Sequence, residues 1–226
     1  KQLTIAAYTA FLKTLGMTWE PPKCYVTRKL PFIPTEQEID TLIAGCGPKT
    51  ATFLQLLKET AMRAGEARRL TWSDVDLQRR FVTLNKPEKR GNARIFKISE
   101  KLADMLGSLP RHRERLFAAT GNSMRSTFAK SRKRIAKKLG NPRLLRIRFH
   151  TLRHWKATTL YHQTKDILHV KEFLGHKTVT NTELYIQLDR VLFQETSDQF
   201  TVKIAKTPEE IKALLEVGFE YICEKN

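Results

Sequence analysis

The 226 residues predict an α+β domain that is mainly α-helical and carries one small antiparallel three-stranded sheet. Three observations lead there. Apolar residues recur at helical spacing through most of the chain, in places behind Ser/Thr-x-x-Glu starts. Only the stretch from about 74 to 98 alternates in the manner of strands, around the polar turn KPEKRGN. About two-fifths of the residues are apolar, enough to bury one sizeable core.

Taken in order, residues 3–15 (LTIAAYTAFLKTL) predict a short helix with an apolar face, ended by Gly16 and then Pro21-Pro22. A basic linker runs to Pro31. Thr35-Glu36-Gln37-Glu38 is a capping-box start ahead of Ile39, Leu42 and Ile43, and that helix stops near Gly45-Cys46-Gly47-Pro48. Residues 50–69 predict a longer amphipathic helix with a break near Gly65. Strands are expected at about 74–77, 80–85 and 93–98, the last two as a hairpin. Helices follow near 100–107, 124–139, 151–162, 166–174 and 178–195. At the tail, Thr207-Pro208-Glu209-Glu210 opens a further helix between the segments TVKIA and FEYICE, which predict a small β-α-β appendage.

The formal charge is +18, and it is unevenly placed. No acidic residue occurs between Glu114 and Asp166, a stretch with fourteen Lys or Arg, whereas the chain beyond it is acidic in balance. A solvated surface would not gather its charge in this way, so the block is read as a face for a polyanion, nucleic acid first. Cys24, Cys46 and Cys223 are too few and scattered for a disulfide framework, and no CxxC pair points to zinc. No run approaches the ~20 apolar residues of a membrane helix, and no signal peptide is visible. The expectation is a cytoplasmic protein in contact with DNA. Opening at Lys1 rather than Met, the chain is expected to be a piece of something longer.

His150-Thr151-Leu152-Arg153 places a histidine and an arginine three apart on one helix face. Leu174-Gly175-His176 follows, then Tyr185 nine residues after His176; upstream stand Arg63 and Glu66. In this order, an Arg, a Lys on a β-hairpin, HxxR, LGH and a Tyr, the chain resembles the tyrosine recombinases and integrases of the lambda-integrase type over roughly residues 35–195. The resemblance implies that Arg63 and Arg153 clamp the scissile phosphate and that His150 and His176 are further active-site groups. It makes Lys86 the donor of a proton to the leaving oxygen, Tyr185 the nucleophile and Glu66 a brace for the arginine and histidine. Lys89, Arg90 and Arg94 lie in or beside the same turn as Lys86 and are read, with Arg125, Lys130, Arg132, Lys133, Arg134, Arg146 and Arg148, as DNA contacts.

The residue types suit the chemistry without the family name. Two guanidinium groups meet the non-bridging oxygens of a pentavalent transition state bidentately, which lysine does less well. Neighbouring cations should help a phenol of pKa near ~10 to ionise. A phosphotyrosine link conserves the phosphodiester's energy, so no ATP, metal or other cofactor is called for. Plainer readings compete. His150, His154 and His162 resemble zinc ligands only loosely, and His154 is read as a helix or core histidine. Tyr161 is read as packing, Trp72 and Trp155 as core.

The expected domains are a remnant of an N-terminal DNA-clamping domain and linker at 1–30, the catalytic domain at 31–199 and the appendage at 200–226. The resemblance further implies a double-stranded DNA partner and self-association into a tetrameric synapse. The rivals are a type IB topoisomerase, which relaxes DNA without exchanging partners, and a DNA-binding protein that has lost catalysis. An RNA-binding role lacks any RRM or KH signature.

Overall fold

The computed structural model describes residues 2–23, 30–117, 120–193, 205 and 207–216. Ten helices and three strands are present among them: α1 (Gln2–Thr14), α2 (Glu36–Ala44), α3 (Pro48–Thr60), α4 (Ala64–Arg69), β1 (Val75–Asp76), β2 (Phe81–Leu84), β3 (Arg94–Lys97), α5 (Glu100–Gly107), α6 (Gly121–Lys138), α7 (Phe149–Thr164), α8 (Ile167–Leu174), α9 (Leu184–Leu192) and α10 (Pro208–Glu216). The sheet has the order β1-β2-β3 and is antiparallel throughout, with Val82 opposite Phe96 and Leu84 opposite Arg94. The predicted class is the one observed.

Local chemistry accounts for several boundaries. Thr35 Oγ1 accepts from the Glu38 amide at 3.2 Å while Glu38 accepts from the Thr35 amide at 2.9 Å, completing the expected capping box of α2. Thr120 caps α6, which therefore begins three residues before the predicted start. The long helix predicted over 50–69 breaks at Ala61, not at Gly65. Ala61 takes φ 50°, a left-handed value, and its carbonyl accepts from Arg153 Nη1 at 2.7 Å. Gly65 lies within α4 for another reason: a Cβ there would run into the Glu88 carboxylate. The helix predicted over 178–195 is likewise divided, into a 3-10 turn at Val179–Asn181 and α9.

The core forms around α3, whose Phe53, Leu54, Leu56 and Leu57 are fully buried. Phe53 meets Phe117 and Phe149 edge-on at 5.0 and 5.2 Å, and Phe128 stacks on Phe149 at 5.1 Å. A second, smaller cluster joins Ala61, Ala157, Val170, Leu174, Tyr185 and Leu188. It packs α7, α8 and α9 together and sets the distance between HxxR and the tyrosine. Trp155 is buried as expected, and Trp72 is half-buried beneath Arg111.

At the ends, α1 buries only Leu12 and leaves Leu3, Tyr8 and Phe11 exposed. The helix expected after Thr207 is present as α10, with Thr207 Oγ1 accepting from the Glu210 amide at 3.3 Å. The two strands expected beside it lie outside the described residues apart from Ala205, as do Cys24, Cys223 and Phe200. No helix among the described residues is long and apolar enough to cross a membrane.

Candidate active site

Glu66 is the hub of the site. Its side chain is fully buried and accepts four hydrogen bonds: from the Arg63 amide at 2.8 Å, Arg63 Nη1 at 2.9 Å, the Glu88 amide at 3.0 Å and Arg94 Nη2 at 3.1 Å. Burial by itself would raise the carboxyl's pKa; the two amides, then Arg94 and Arg63, overcome it and hold the group below the ordinary carboxylate range. One carboxylate thus ties α4 to the β2–β3 turn and to β3. The expected bracing of Arg63 is one part of that arrangement.

Arg94 corrects the sequence reading. It was expected to be a DNA contact, but its side chain is only 6% exposed, pairs with Glu66 and donates from Nη1 to the Leu174 carbonyl at 2.6 Å. A guanidinium committed in this way is buried and held by partners within the protein. Gly175 lets it in. Gly175 sits at φ 66° as the left-handed cap of α8, and a Cβ there would lie 2.9 Å from Arg94 Nε. Gly175→Ala is therefore expected to combine the left-handed penalty, roughly 1–2 kcal/mol, with displacement of Arg94 from Glu66. A thermal melt reads this as a drop of several degrees; an unchanged melting temperature would show that neither constraint holds.

Arg153, on α7, is 2% exposed. Nη1 donates to the Ala61 carbonyl, while Nη2 donates to the Leu174 carbonyl at 2.7 Å and faces His176 Nε2 at 3.0 Å. Burial, then the charge of Arg63, lowers its pKa to about 10. A guanidinium has no acceptor, so His176 Nε2 accepts, and its ring proton resides on Nδ1, which donates to Thr182 Oγ1 at 3.1 Å. Thr182 is fully buried and was not singled out from the sequence. Its offset of three residues from Tyr185 was the available signal.

Tyr185 is 2% exposed, with its hydroxyl 3.1 Å from His154 Nδ1. Burial raises the phenol's pKa to about 12 against the opposing pull of Arg153 and Arg63. The neighbouring cations do pull towards ionisation, as expected, but desolvation outweighs them. His154 also departs from its reading as plain packing: it touches the candidate nucleophile and meets the His150 ring edge-on at 4.6 Å. Burial, then His150, Arg153 and His176, lowers its pKa to about 4. His150 itself lies at the open side of the site and is also lowered, by loss of hydration and then by Arg153, Arg63 and Lys89.

Lys86 is exposed at the foot of the β2–β3 turn, and Lys89 is the turn lysine whose charge reaches His150. Among the basic-face residues, Arg125, Lys130, Lys133, Arg134, Arg146 and Arg148 are exposed. Arg134 donates to the Gly45 carbonyl at 2.8 Å, and Arg146 stands over the Phe32 ring at 4.2 Å. Arg132 is half-buried and donates to the Ile147 carbonyl, so part of its guanidinium is committed within the protein. The Arg90 side chain lies outside the described residues. Among the described residues no three His, Cys, Asp or Glu side chains converge to hold a metal ion; His162 instead pairs with Asp189 at 2.8 Å.

Comparison with known proteins bears on the family and the fold. Tyrosine recombinase XerA of Saccharolobus solfataricus is 27% identical over 188 residues, 81% of this chain and 62% of the relative. Tyrosine recombinase XerD of Halalkalibacterium halodurans is 30% identical over 197 residues, 80% of this chain and 64% of the relative. The chain therefore spans a little under two-thirds of the length of either. Among solved structures, a XerA recombinase matches with a TM-score of 0.60 and 26% identity over 89% of this chain and 76% of that one. The catalytic domain of bacteriophage HP1 integrase matches with a TM-score of 0.54 and 28% identity over 76% of this chain and all of that domain. Residues 34–190 match the model of the phage integrase family, a span that takes in every residue placed in the site above, and the chain belongs to that family.

Proposed function

We propose that this chain cleaves and rejoins DNA as the catalytic part of a site-specific recombinase, with Tyr185 as the nucleophile. The supporting observation is convergence: Arg63 and Arg153 lie within charge range of the Tyr185 phenol, His176 faces Arg153 at 3.0 Å, and one buried carboxylate holds Arg63. Among the described residues one negative group, Glu66, stands among Arg63, Arg94 and Arg153, so the site has an excess of positive charge that a phosphodiester would neutralise.

In this reading the phenol gives up its proton to solvent, its oxygen attacks the phosphorus, and Arg63 and Arg153 meet the non-bridging oxygens. The 5′-oxygen leaves with a proton from a turn lysine, Lys86 by the resemblance, with Lys89 nearer to His150. A 3′-phosphotyrosine results. Reversal by a partner strand's 5′-hydroxyl restores the phosphodiester with no ATP, and the arginines supply the charge neutralisation that a metal ion would otherwise bring. Exposed cations of α6 and of the segment before α7 follow the DNA backbone. Assembly on paired sites as a tetramer belongs to the same reading. Glu88 and Gly91 of the turn lie against Glu66 and Gly175, so entry of a phosphate is expected to displace this turn.

The test is covalent trapping on nicked suicide duplexes, drawn from a randomised pool and resolved on a denaturing gel. A DNA–protein adduct is expected from the wild-type chain and none from Tyr185→Phe. Adduct that persists in the variant would assign the nucleophile elsewhere; no adduct from either would leave a DNA-binding role.

A further inference from the structure

Tyr185 has one described hydrogen-bond partner for its hydroxyl, and it is not an arginine of the clamp but His154 Nδ1, at 3.1 Å. The rings are 6.0 Å apart and tilted by 52°. Which atom donates follows from the surroundings. If Nδ1 carried a proton and donated it, the phenolic hydrogen would be buried with no acceptor among the described groups. If Nδ1 accepts, the phenolic hydrogen is satisfied and the ring's proton sits on Nε2. With the hydrogen directed at His154, the oxygen's lone pairs face away from that ring. The charges that reach the phenol from elsewhere are Arg153 and Arg63.

We propose that His154 is a positioning residue for the nucleophile, orienting the Tyr185 hydroxyl through Nδ1 so that its lone pairs point at a phosphate held by Arg63 and Arg153. The inference rests on the reading of Tyr185 as nucleophile and adds a residue that HxxR spacing leaves out. Its place in the chain makes the role economical. His154 directly follows Arg153 on α7 and lies one turn from His150, which it meets edge-on at 4.6 Å. One helix thereby sets both a clamp arginine and the acceptor that aims the attacking oxygen. Lateral drift of α9 is opposed by Lys165 and His162, which pair with Asp189 at 2.5 and 2.8 Å, so the phenol's remaining freedom is largely rotation of its own side chain and hydroxyl.

The test compares His154→Leu, which keeps volume and removes the acceptor, with His154→Asn, whose Oδ1 takes the place of Nδ1. Single-turnover adduct formation on suicide duplexes is measured beside DNA affinity and thermal stability. Leu is expected to slow adduct formation by ~10- to 100-fold, the scale of a misaligned nucleophile, with DNA affinity within about twofold; Asn is expected to recover most of the rate. A Leu variant as fast as wild type would overturn the proposal, and a faster one would show that His154 restrains the tyrosine instead. Equal loss in folded Leu and Asn variants would reduce His154 to packing. Long-range 1H–15N spectra of the wild-type chain give a second reading that no folding defect can obscure. A proton on Nε2, with an Nδ1 signal that moves in Tyr185→Phe, is expected; a proton on Nδ1 would overturn the assignment. Absence of any Tyr185-dependent adduct would instead count against the nucleophile reading, and the tautomer would still decide the hydrogen bond.

Discussion

Replacing Glu66 with alanine is expected to give the largest loss of stability of any single substitution at the site. The carboxylate is fully buried and takes four hydrogen bonds, and Arg94, 6% exposed at its side chain, has no other acidic partner among the described residues. Breaking a buried ion pair from one side leaves an uncompensated charge, which costs about 3–5 kcal/mol. For a domain of this size that corresponds to a fall in melting temperature of roughly 10 °C. Catalysis should suffer separately. Arg63 would lose the group that aims its guanidinium, and loss of one preorganised donor slows a reaction of this class by about 10²- to 10³-fold. The control is Arg69→Ala, which breaks a pair with Glu88 at 2.9 Å in which both side chains are about one-third exposed; such pairs contribute less than about 1 kcal/mol. If Glu66→Ala melted no lower than Arg69→Ala, the buried carboxylate would not be the hub that its four donors imply.

What could be read from the sequence was what depends on local spacing. His150 and Arg153 are three apart on one helix, Gly175 ends α8 because only glycine caps it without strain, and Thr35 carries its own capping box. The residues that were misread take their roles from distant parts of the chain. Arg94 looked like one more cation in a basic hairpin; it is a brace because β3 brings it against Glu66, 28 residues earlier, and against the Leu174 carbonyl, 80 residues later. Ala61 breaks the helix, where Gly65 was expected to, because Arg153 holds its carbonyl from 92 residues away. His154 meets Tyr185 across helices at a separation of 31 residues, whereas Thr182 meets His176 six residues away within the connection between α8 and α9, and no helical or strand periodicity marks either pairing. Burial also outweighs the expected effect of charge on the phenol, since a sequence shows which cations are near in order but not how much water is excluded.

Acidification should destabilise the DNA-free protein well before its carboxylates titrate. His154 and His176 are both held at about 4, largely by burial and then by neighbouring positive groups, against about 6.5 in the unfolded chain. A depressed histidine favours the fold while neutral. Its contribution is complete above the unfolded pKa of about 6.5 and is lost as pH falls through about 4. By pH 5 each is expected to have given up roughly 2 kcal/mol. Glu66, Glu38 and Asp189, held below their ordinary values, begin to contribute to the loss only in more acid solution. Melting temperature between pH 7.5 and 5 measures the effect, with His154→Asn as the reference that removes one titrating ring and retains an acceptor. A clear fall in the wild type and a shallower one in the variant are expected. Parallel slopes would mean that general repulsion in a chain of charge +18 is responsible and that the rings are not. The same charges predict the reverse on DNA: a phosphate seated between Arg63 and Arg153 adds negative charge beside both rings and raises their proton affinity. Bound duplex should therefore flatten the acid limb more than its stabilisation at neutral pH accounts for, and DNA binding near pH 5 should take up protons.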